Sequence, residues 1–340
     1  METKKTNGAG ETIRKLFQAK SFTLIIVLVV IILFFFIMNR NYLAPDNISN
    51  ILNAASLTGT LAVGITCVLI SGNADLSAGS VGMMGGVLVA MFLKTGMPWP
   101  VALLLALIYG AICGGINAIL VNVFNFMPFI ATLAMASVWK GIGYVLTDSQ
   151  NVAISNQAYW GIGSIRVLGV PMPFVITIIL LIVYGFILNY TRVGRKIYMC
   201  GGNRNAARLA GINPKKISTG LFINCSTIAA LGGAVLAARM HTGSPSAVLG
   251  QELKGITASV LGGVAFTGGS GGMLGCFIGL LLLTCFNNGL TVVGLNSYWQ
   301  IVASGLLLIL ALVLDFYREK SRIKKLKAME KDAKTATTTA

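Results

Sequence analysis

The sequence predicts an all-α, polytopic membrane protein with about ten transmembrane helices. Two observations carry this prediction. Only 11% of the 340 residues are charged and the mean hydropathy is +0.80, whereas an ordinary soluble domain carries about 25% charged residues. The apolar residues are also collected into roughly ten stretches, most of which approach the ~20 residues that a helix needs to cross a bilayer. These features exclude a disordered chain, a secreted disulfide-rich domain and an ordinary cytosolic enzyme.

The first apolar stretch is FTLIIVLVVIILFFFIM at 22–38, flanked by Lys20 and Arg40. It is long for the apolar region of a signal peptide and no small-residue cleavage site follows it, so we expect a retained first helix. The other predicted spans are residues 51–71, 78–93, 98–122, 127–147, 171–190, 217–239, 254–271, 273–289 and 297–316. Because 78–93 and 254–271 are short or interrupted by glycine, a number of spans that differs from ten by two stays open. Such a change keeps both termini on the same side of the membrane.

The net charge of +16 arises from 26 lysines and arginines against 10 acidic residues. In a soluble protein such an excess would indicate nucleic-acid binding. Here, however, 20 of the 26 cations lie in three polar segments, at 1–20, 191–216 and 318–334. The positive-inside rule places all three in the cytoplasm, and ten spans return the C-terminus to the side of the N-terminus. The charge therefore indicates the orientation of the chain in the membrane. We expect membrane lipid, and no nucleic acid, as a partner of these segments.

This topology divides the chain into three parts. We expect a cytoplasmic N-terminal tail at 1–20, a transmembrane domain at 21–317 and a basic cytoplasmic C-terminal tail at 318–340. Within the domain, 191–216 is a cytoplasmic loop and 148–170 is the largest external segment. A plain connector is an equally weighted interpretation of 148–170.

Several kinds of chemistry have no motif in this chain. The six cysteines occur singly without CxxC, which indicates neither a disulfide nor a metal site. The single histidine excludes HExxH, and neither a GxxxxGK[ST] phosphate loop nor GxSxG is present. We therefore predict no metal, no cofactor and no catalytic residue. A transport pathway built by this chain would rely on passive flux, on an ion gradient or on a separate motor subunit.

Two glycine-rich segments resemble each other at an offset of 190 residues. The segment 71–90 aligns with 261–280, and six positions are identical. We interpret this as a possible internal repeat with a break between helices in each half. Irregular backbone cannot face lipid, so a break must be buried in protein or line a water-filled cavity, and many transporters place the substrate path at paired breaks. Close helix packing through glycine is the alternative, which we favour for 82–86 and 271–275.

The segment 72–80 is the predicted interrupted helix. Asp75, Ser77 and Ser80 crowd there, and a carboxylate at membrane depth needs a partner, a proton or water. A position on the substrate path is one interpretation. Capping of the next helix by Asp75 or Ser77 is a compatible and equally weighted one.

Glu252 and Lys254 open the eighth predicted span, close to Arg239 and His241 at the end of the seventh. We expect these residues near the outer face of the membrane. There, Glu252 and Lys254 would form a docking rim for an external binding protein. Ordinary interfacial anchoring is an equally weighted interpretation.

Between the sixth and seventh predicted spans lies GRKIYMCGGNRNAARLAGINPKKI at 194–217. Its polar stretch from Asn203 to Gly211 predicts a short amphipathic surface helix that ends at Gly211 and Pro214. Contact with anionic lipid headgroups is one interpretation of this helix. The glycine pair and the alternation of small with charged residues favour a contact with protein.

This segment closely resembles the cytoplasmic coupling loop of permease subunits from the ribose/xylose/galactose class of bacterial ABC sugar importers. The resemblance covers about 45–315 and is also carried by the stretches 70–86, 127–147, 251–279 and 287–315. It implies a multi-pass protein of the bacterial inner membrane that pairs with a second permease copy or a homologous permease. It further implies cytoplasmic ABC ATPase subunits as the motor and an extracytoplasmic sugar-binding protein that delivers a monosaccharide.

For the translocation path we select Asp75, Ser77 and Ser80 as hydrogen-bonding groups and Phe129 and Trp139 as apolar faces for a sugar ring. For the ATPase coupling loop we select Gly201, Gly202, Asn203, Arg204, Arg208 and Gly211. The main alternative function is an ion-coupled secondary transporter of a small polar solute, which would need more buried carboxylates than Asp75. A non-transport scaffold would need a larger exposed domain than the segment 148–170 provides.

Overall fold

The computed structural model describes residues 20–320, except 297, 314, 318 and 319. The predicted tails at 1–20 and 318–340 therefore lie outside the described residues, apart from Lys20 and Lys320. The described helices are α1 (Lys20–Met38), α2 (Pro45–Ile70), α3 (Ala78–Lys94), α4 (Trp99–Asn122), α5 (Pro128–Thr147), α6 (Gln157–Ser164), α7 (Met172–Tyr190), α8 (Arg192–Gly202), α9 (Arg204–Leu209), α10 (Pro214–Met240), α11 (Gln251–Leu261), α12 (Met273–Val292) and α13 (Tyr298–Tyr317). A short 3-10 turn at Arg40–Leu43 joins α1 to α2.

The predicted all-helical membrane architecture is confirmed. Among the described residues, seven helices are long and apolar enough to cross a membrane, namely α2, α4, α5, α7, α10, α12 and α13, and α1 and α3 are shorter apolar helices. Together they account for nine of the ten predicted spans, with ends that are shifted by a few residues.

The predicted span at 254–271 is the exception. Its helix, α11, ends at Leu261, and 262–272 is irregular. This segment is rich in glycine, and Gly268, Gly269 and Gly271 adopt positive φ angles of 91°, 73° and 114°. Such angles cannot be part of a right-handed helix. The structure therefore contains two breaks, at 71–77 and at 262–272, and each of the segments aligned in the possible repeat includes one.

Helices α2 and α10 form the centre of the bundle. Every residue from Thr58 to Ile70 on α2 is buried, as expected for a helix that is apolar on all sides. Helix α10 packs against α3 at glycines: a Cβ on Gly85 would lie 2.6 Å from the Ala230 carbonyl oxygen. Close packing, which the sequence predicts for 82–86, is confirmed at this contact.

Helices α2 and α11 run side by side in the same direction. The Thr58 hydroxyl lies 3.1 Å from Gln251 Oε1, and the hydroxyls of Thr66 and Ser259 are 2.8 Å apart. Both pairs have the same sequence separation, so the two helices are parallel. The breaks that follow them consequently lie at the same end of the bundle.

The predicted external segment 148–170 is a folded element rather than a plain connector. It contains α6 and three short strands, β1 (Val152–Ala153), β2 (Arg166–Val167) and β3 (Val170–Pro171). β2 pairs with β3, and β1 pairs antiparallel with β4 (Thr242–Gly243), directly after α10. The Tyr159 hydroxyl on α6 donates to the Ala234 carbonyl oxygen at 2.7 Å. The segment is thereby fixed to the end of α10.

Candidate translocation site

Three chain segments meet through backbone contacts at one end of α2. We name this contact the glycine junction and define it by Gly72, Gly201, Gly202, Gly268 and Gly269. The Gly269 N–H donates to the carbonyl oxygen of the last α2 residue at 2.8 Å. A Cβ on Gly268 would lie 2.7 Å from Gly72 Cα, and a Cβ on Gly201 would overlap the last α2 carbonyl. The end of α8 is therefore packed directly against both breaks.

Arg204 strengthens this contact. Its guanidinium donates to the Asn73 side-chain oxygen at 2.7 Å and to the Gly72 carbonyl at 3.3 Å. The Asn73 amide in turn donates to the hydroxyls of Ser71 and Ser218 at 2.9 and 3.3 Å. Arg204, which the sequence analysis selects for ATPase docking, thus makes internal contacts that tie the loop to the first break and to α10.

The remaining loop residues shape and present α9. The Asn203 side chain accepts hydrogen bonds from the backbone N–H groups of Asn205 and Ala206, so it caps the N-terminus of α9. Gly211 has φ of 75°, which ends the helix in the left-handed region. Arg208 is exposed, and Leu209 is 91% exposed. Sequence reasoning missed Leu209. A leucine in an otherwise polar surface helix is a signal for contact with another protein.

A polar group is buried inside the bundle beyond the first break. We name it the Asp75 cluster and define it by Asp75, Ser77, Asn117, Thr132 and Ser226, all of which have an exposure of 0%. Asp75 Oδ1 accepts from the Ser77 N–H at 2.9 Å and from its hydroxyl at 2.7 Å, and the Asn117 amide donates to the Ser77 hydroxyl at 2.7 Å. The Thr132 hydroxyl accepts from the Leu76 N–H at 3.0 Å. Asp75 therefore fixes the turn that precedes α3, and among the described residues neither Asp75 nor Ser77 gives α3 the side-chain cap that the sequence offered as one interpretation.

The depth of this cluster follows from its neighbours on α10. A Cβ on Gly64 would lie 3.0 Å from Cys225 Cα, and Cys225 and Ser226 also face the Asp75 carboxylate. Asp75 is therefore level with Gly64, and the chain between Ile70 and Asp75 runs back beside the last turns of α2. Asp75 lies inside the bundle rather than at its end.

The cluster retains unused hydrogen-bonding capacity. Among the described residues, Asp75 Oδ2, Asn117 Oδ1 and Ser226 Oγ are buried without a hydrogen-bond partner, as are the Tyr109 hydroxyl and Trp139 Nε1. Buried polar atoms normally have partners, so the Asp75 cluster is a place where a rearrangement of helices could create new hydrogen bonds.

The selected path residues do not all come together. Asp75 and Ser77 are enclosed, and Ser80 is buried with 6% exposure. Trp139 is buried and meets the Tyr109 ring edge-on at 5.9 Å. Phe129 is 50% exposed, so its ring is not enclosed with the others. None of the described path residues lines an open channel in this conformation.

An open polar site lies at the other end of α2, and sequence reasoning missed it. We name it the amide cavity: a space of about 430 Å³ between α2, α10, α11, α12 and α13. Its carboxamide side chains are Asn47, Asn50, Asn53, Gln251, Asn287, Asn288 and Gln300. The signal was present, because Asn47, Asn50 and Asn53 repeat at helical spacing along one face of α2. A polar stripe on a membrane-spanning helix indicates a bundle interior or a cavity.

Some of these amides are paired and others are free. The Asn47 and Asn288 side chains form reciprocal hydrogen bonds of 2.9 and 3.0 Å, and Gln251 accepts from Thr58. Asn50 and Asn53 make no side-chain hydrogen bond to the residues that the structure describes. Since a carboxamide both donates and accepts, these two groups are available to a polyhydroxylated solute.

The two residues of the predicted docking rim face different surroundings. Lys254 lines the amide cavity and an adjoining, more apolar cavity of about 550 Å³. The Glu252 side chain turns to the other side of α11, where a Cβ on Gly79 would overlap its Oε2 atom. Both lie beside the middle of α2, next to the Thr58–Gln251 contact, and neither lies at the end of the bundle. Their role in docking a binding protein stays a prediction.

Comparison with known proteins identifies the family. Residues 47–312 match the family described as "Branched-chain amino acid transport system / permease component". The chain is 34% identical over 287 residues to the ribose import permease protein RbsC of Bacillus subtilis, covering 84% of this chain and 88% of the relative. It is 36% identical over 284 residues to RbsC of Escherichia coli, covering 82% and 88%.

A further relative is the D-allose transport system permease protein AlsC of Escherichia coli, 31% identical over 301 residues, covering 88% of this chain and 92% of the relative. No solved structure matches the chain. The resemblance predicted from the loop at 194–217 is confirmed. The chain belongs to the branched-chain amino acid transport system / permease component family.

Proposed function

We propose that this chain is the transmembrane subunit of an ATP-binding-cassette importer that moves a monosaccharide, such as a pentose or hexose, into a bacterial cell. The amide cavity carries this proposal, because seven carboxamide side chains around one space of about 430 Å³ suit the hydroxyls of a sugar. The similarity to permeases named for ribose and allose supports the same class of solute.

The orientation that we propose places the glycine junction and α9 at the cytoplasmic face and the amide cavity toward the outside. The basic loop 191–216 and the basic tails at both termini support this assignment through the positive-inside rule. A solute would then enter the amide cavity from outside and stop above the closed junction. Import requires the junction to open while the cavity closes.

We propose that cytoplasmic ABC ATPase subunits drive this change through α9. Arg208 and Leu209 form the exposed face that would contact the motor, and Gly201, Gly202 and Asn203 join that face to the junction. The motor can shift the equilibrium only if it binds one conformation better than the other. Because α8 packs against both breaks, displacement of α9 would move the chain on either side of the Asp75 cluster.

Two further partners complete the proposal. An extracytoplasmic sugar-binding protein would deliver the solute to the outer mouth of the amide cavity. A second permease copy or a homologous permease would cover exposed helices, for which α5 and α13 are the best candidates because only 22% and 6% of their apolar windows are buried. The Asp75 cluster, with Ser80 and Trp139 close by, would join the path after this change.

The test is ATP-dependent uptake. The permease, reconstituted with its ATPase and binding protein, should accumulate one of radiolabelled ribose, allose or arabinose only when ATP is inside. Depletion of ATP should abolish uptake, and an ionophore should leave it unchanged. The opposite pattern would identify an ion-coupled secondary transporter and would contradict the proposal.

A further inference from the structure

The amide cavity contains positive charge as well as amides. Arg239, the second-last residue of α10, and Lys254, in the first turn of α11, both contribute to its lining. Arg239 is exposed and Lys254 is half-buried. They are the only charged side chains among the described residues that line this cavity or the adjoining one.

Two carboxylates, Glu252 and Asp46, neighbour lining residues in the sequence. Neither supplies a negative charge to the cavity. Glu252, two residues before Lys254, turns to Gly79 on the opposite side of α11. Asp46 lies beside Asn47 on α2 but is exposed and is absent from the described lining. The other polar groups of the cavity are neutral amides and hydroxyls. The cavity therefore presents a net positive surface to any solute that enters it.

The physical consequence concerns the charge of the solute. A cation that is partly removed from water is stabilised by a nearby anion. Hydrogen bonds between an ionised donor and a carboxylate are about twice as strong as those between neutral groups. A carboxylate on a sugar would provide this partner, whereas an ammonium group would be repelled by both cations.

We propose that Arg239 and Lys254 make the amide cavity selective for sugars that carry an acidic group, ahead of neutral sugars and well ahead of amino sugars. The amides bind the ring hydroxyls, and the two cations bind the acid. This inference rests on the proposed function and names the solute class within it.

The experiment compares three sugars that share one ring: glucuronate, glucose and glucosamine. Their binding to the full-length permease in lipid nanodiscs is measured by saturation-transfer NMR, at a pH where the acid is ionised and the amine is protonated. Glucuronate should bind about tenfold more tightly than glucosamine, the size expected when one charge-assisted hydrogen bond is gained. Raising the salt concentration should reduce the difference.

Variants identify the residues responsible. Arg239→Gln and Lys254→Gln together should bring the three affinities within about twofold of one another. Lys140→Gln is the matched control, because Lys140 is an exposed lysine on α5 outside the described cavity lining. This variant should keep the preference for glucuronate.

Three outcomes would overturn the inference: equal affinities in the unmodified protein, a preference that persists in the double variant, or no saturation transfer to any of the sugars. The uptake assay separates these failures from failure of the proposed function. ATP-dependent accumulation of a neutral sugar would keep the permease assignment even when the preference for an acidic group is absent.

Discussion

The two ends of α2 differ in their surroundings: the C-terminal end is closed by backbone contacts, and the N-terminal half borders an open cavity. At its C-terminal end, the glycine junction brings backbone against backbone, with the Gly269 N–H 2.8 Å from the carbonyl of Ile70. Around its N-terminal half, long amide side chains surround about 430 Å³ of space. A contact made by backbone cannot open through side-chain rotation. The closed end must open by movement of whole segments, and one of these segments carries the surface loop.

This difference between the two ends explains why the ATPase should act on the closed end of α2. The amide cavity needs only small local changes to admit or release a solute, because its lining groups are side chains. The glycine junction joins the ends of α2 and α8 to the second break, so a displacement of α9 is transmitted without a flexible intermediate. The largest effects of substitution are therefore expected at the junction and the smallest in the cavity.

The sharpest test of the closed end uses two neighbouring glycines. Gly201→Ala would place a methyl group onto the Ile70 carbonyl and close to Gly269. Forcing an added carbon into such a contact costs about 1–3 kcal/mol. We expect a lower free energy of unfolding, measured by thermal denaturation in detergent, together with loss of ATP-dependent uptake.

Gly202→Ala is the matched control, since a Cβ on Gly202 meets no atom within 4 Å. It should retain stability and uptake. If the two variants behave alike, the junction is not the rigid contact that we describe.

These two glycines also show what the sequence could predict. The loop was identifiable because its polar and basic residues interrupt the apolar pattern, and the GG pair indicated close contact. The partner in that contact was not identifiable, because Gly201 meets residues about 70 and 130 positions away in the chain. Hydropathy and local periodicity contain no information on which distant backbone fills the space beside a glycine.

The same limit applies to the second break and to the amide cavity. The apolar composition of 254–271 predicted a span, but its glycines terminate the helix at Leu261. Charge alone favours Asp75, which is enclosed, over the neutral asparagines of α2, which line the open space. The fold class, the order of the spans and the α9 helix were predictable, since each depends on local composition.

A second prediction distinguishes internal attachment from motor docking on the same loop. Arg204→Ala removes the hydrogen bonds to Asn73 and Gly72, and bonds from a charged donor contribute about 1.5–3 kcal/mol. We expect solute-stimulated ATP hydrolysis to fall while the ATPase still co-purifies with the permease. Arg208→Glu should instead lose both solute-stimulated ATP hydrolysis and co-purification of the ATPase. Arg208 is exposed on α9 and makes no side-chain hydrogen bond to the described residues.

A double-mutant cycle with Asn73→Ala measures the internal contact directly. If Arg204 acts through Asn73, the effects of the two substitutions on the free energy of unfolding should fall short of additivity by 0.5 kcal/mol or more. Additive effects, or loss of ATPase co-purification with Arg204→Ala, would return Arg204 to the docking surface that the sequence analysis selected.

The smallest structural effect is expected in the amide cavity, where function and stability should separate. Asn50→Leu removes an amide that has no side-chain partner among the described residues, so the free energy of unfolding should change by less than about 0.5 kcal/mol. Loss of one hydrogen bond to a sugar hydroxyl should still reduce the apparent affinity for solute about two- to tenfold in the uptake assay. Ile48→Leu, on the same turn of α2 and outside the described lining, should leave both unchanged. Unchanged solute affinity in Asn50→Leu would show that the open end of α2 is not where the solute binds, and the comparison between the two ends would then reduce to a difference in packing alone.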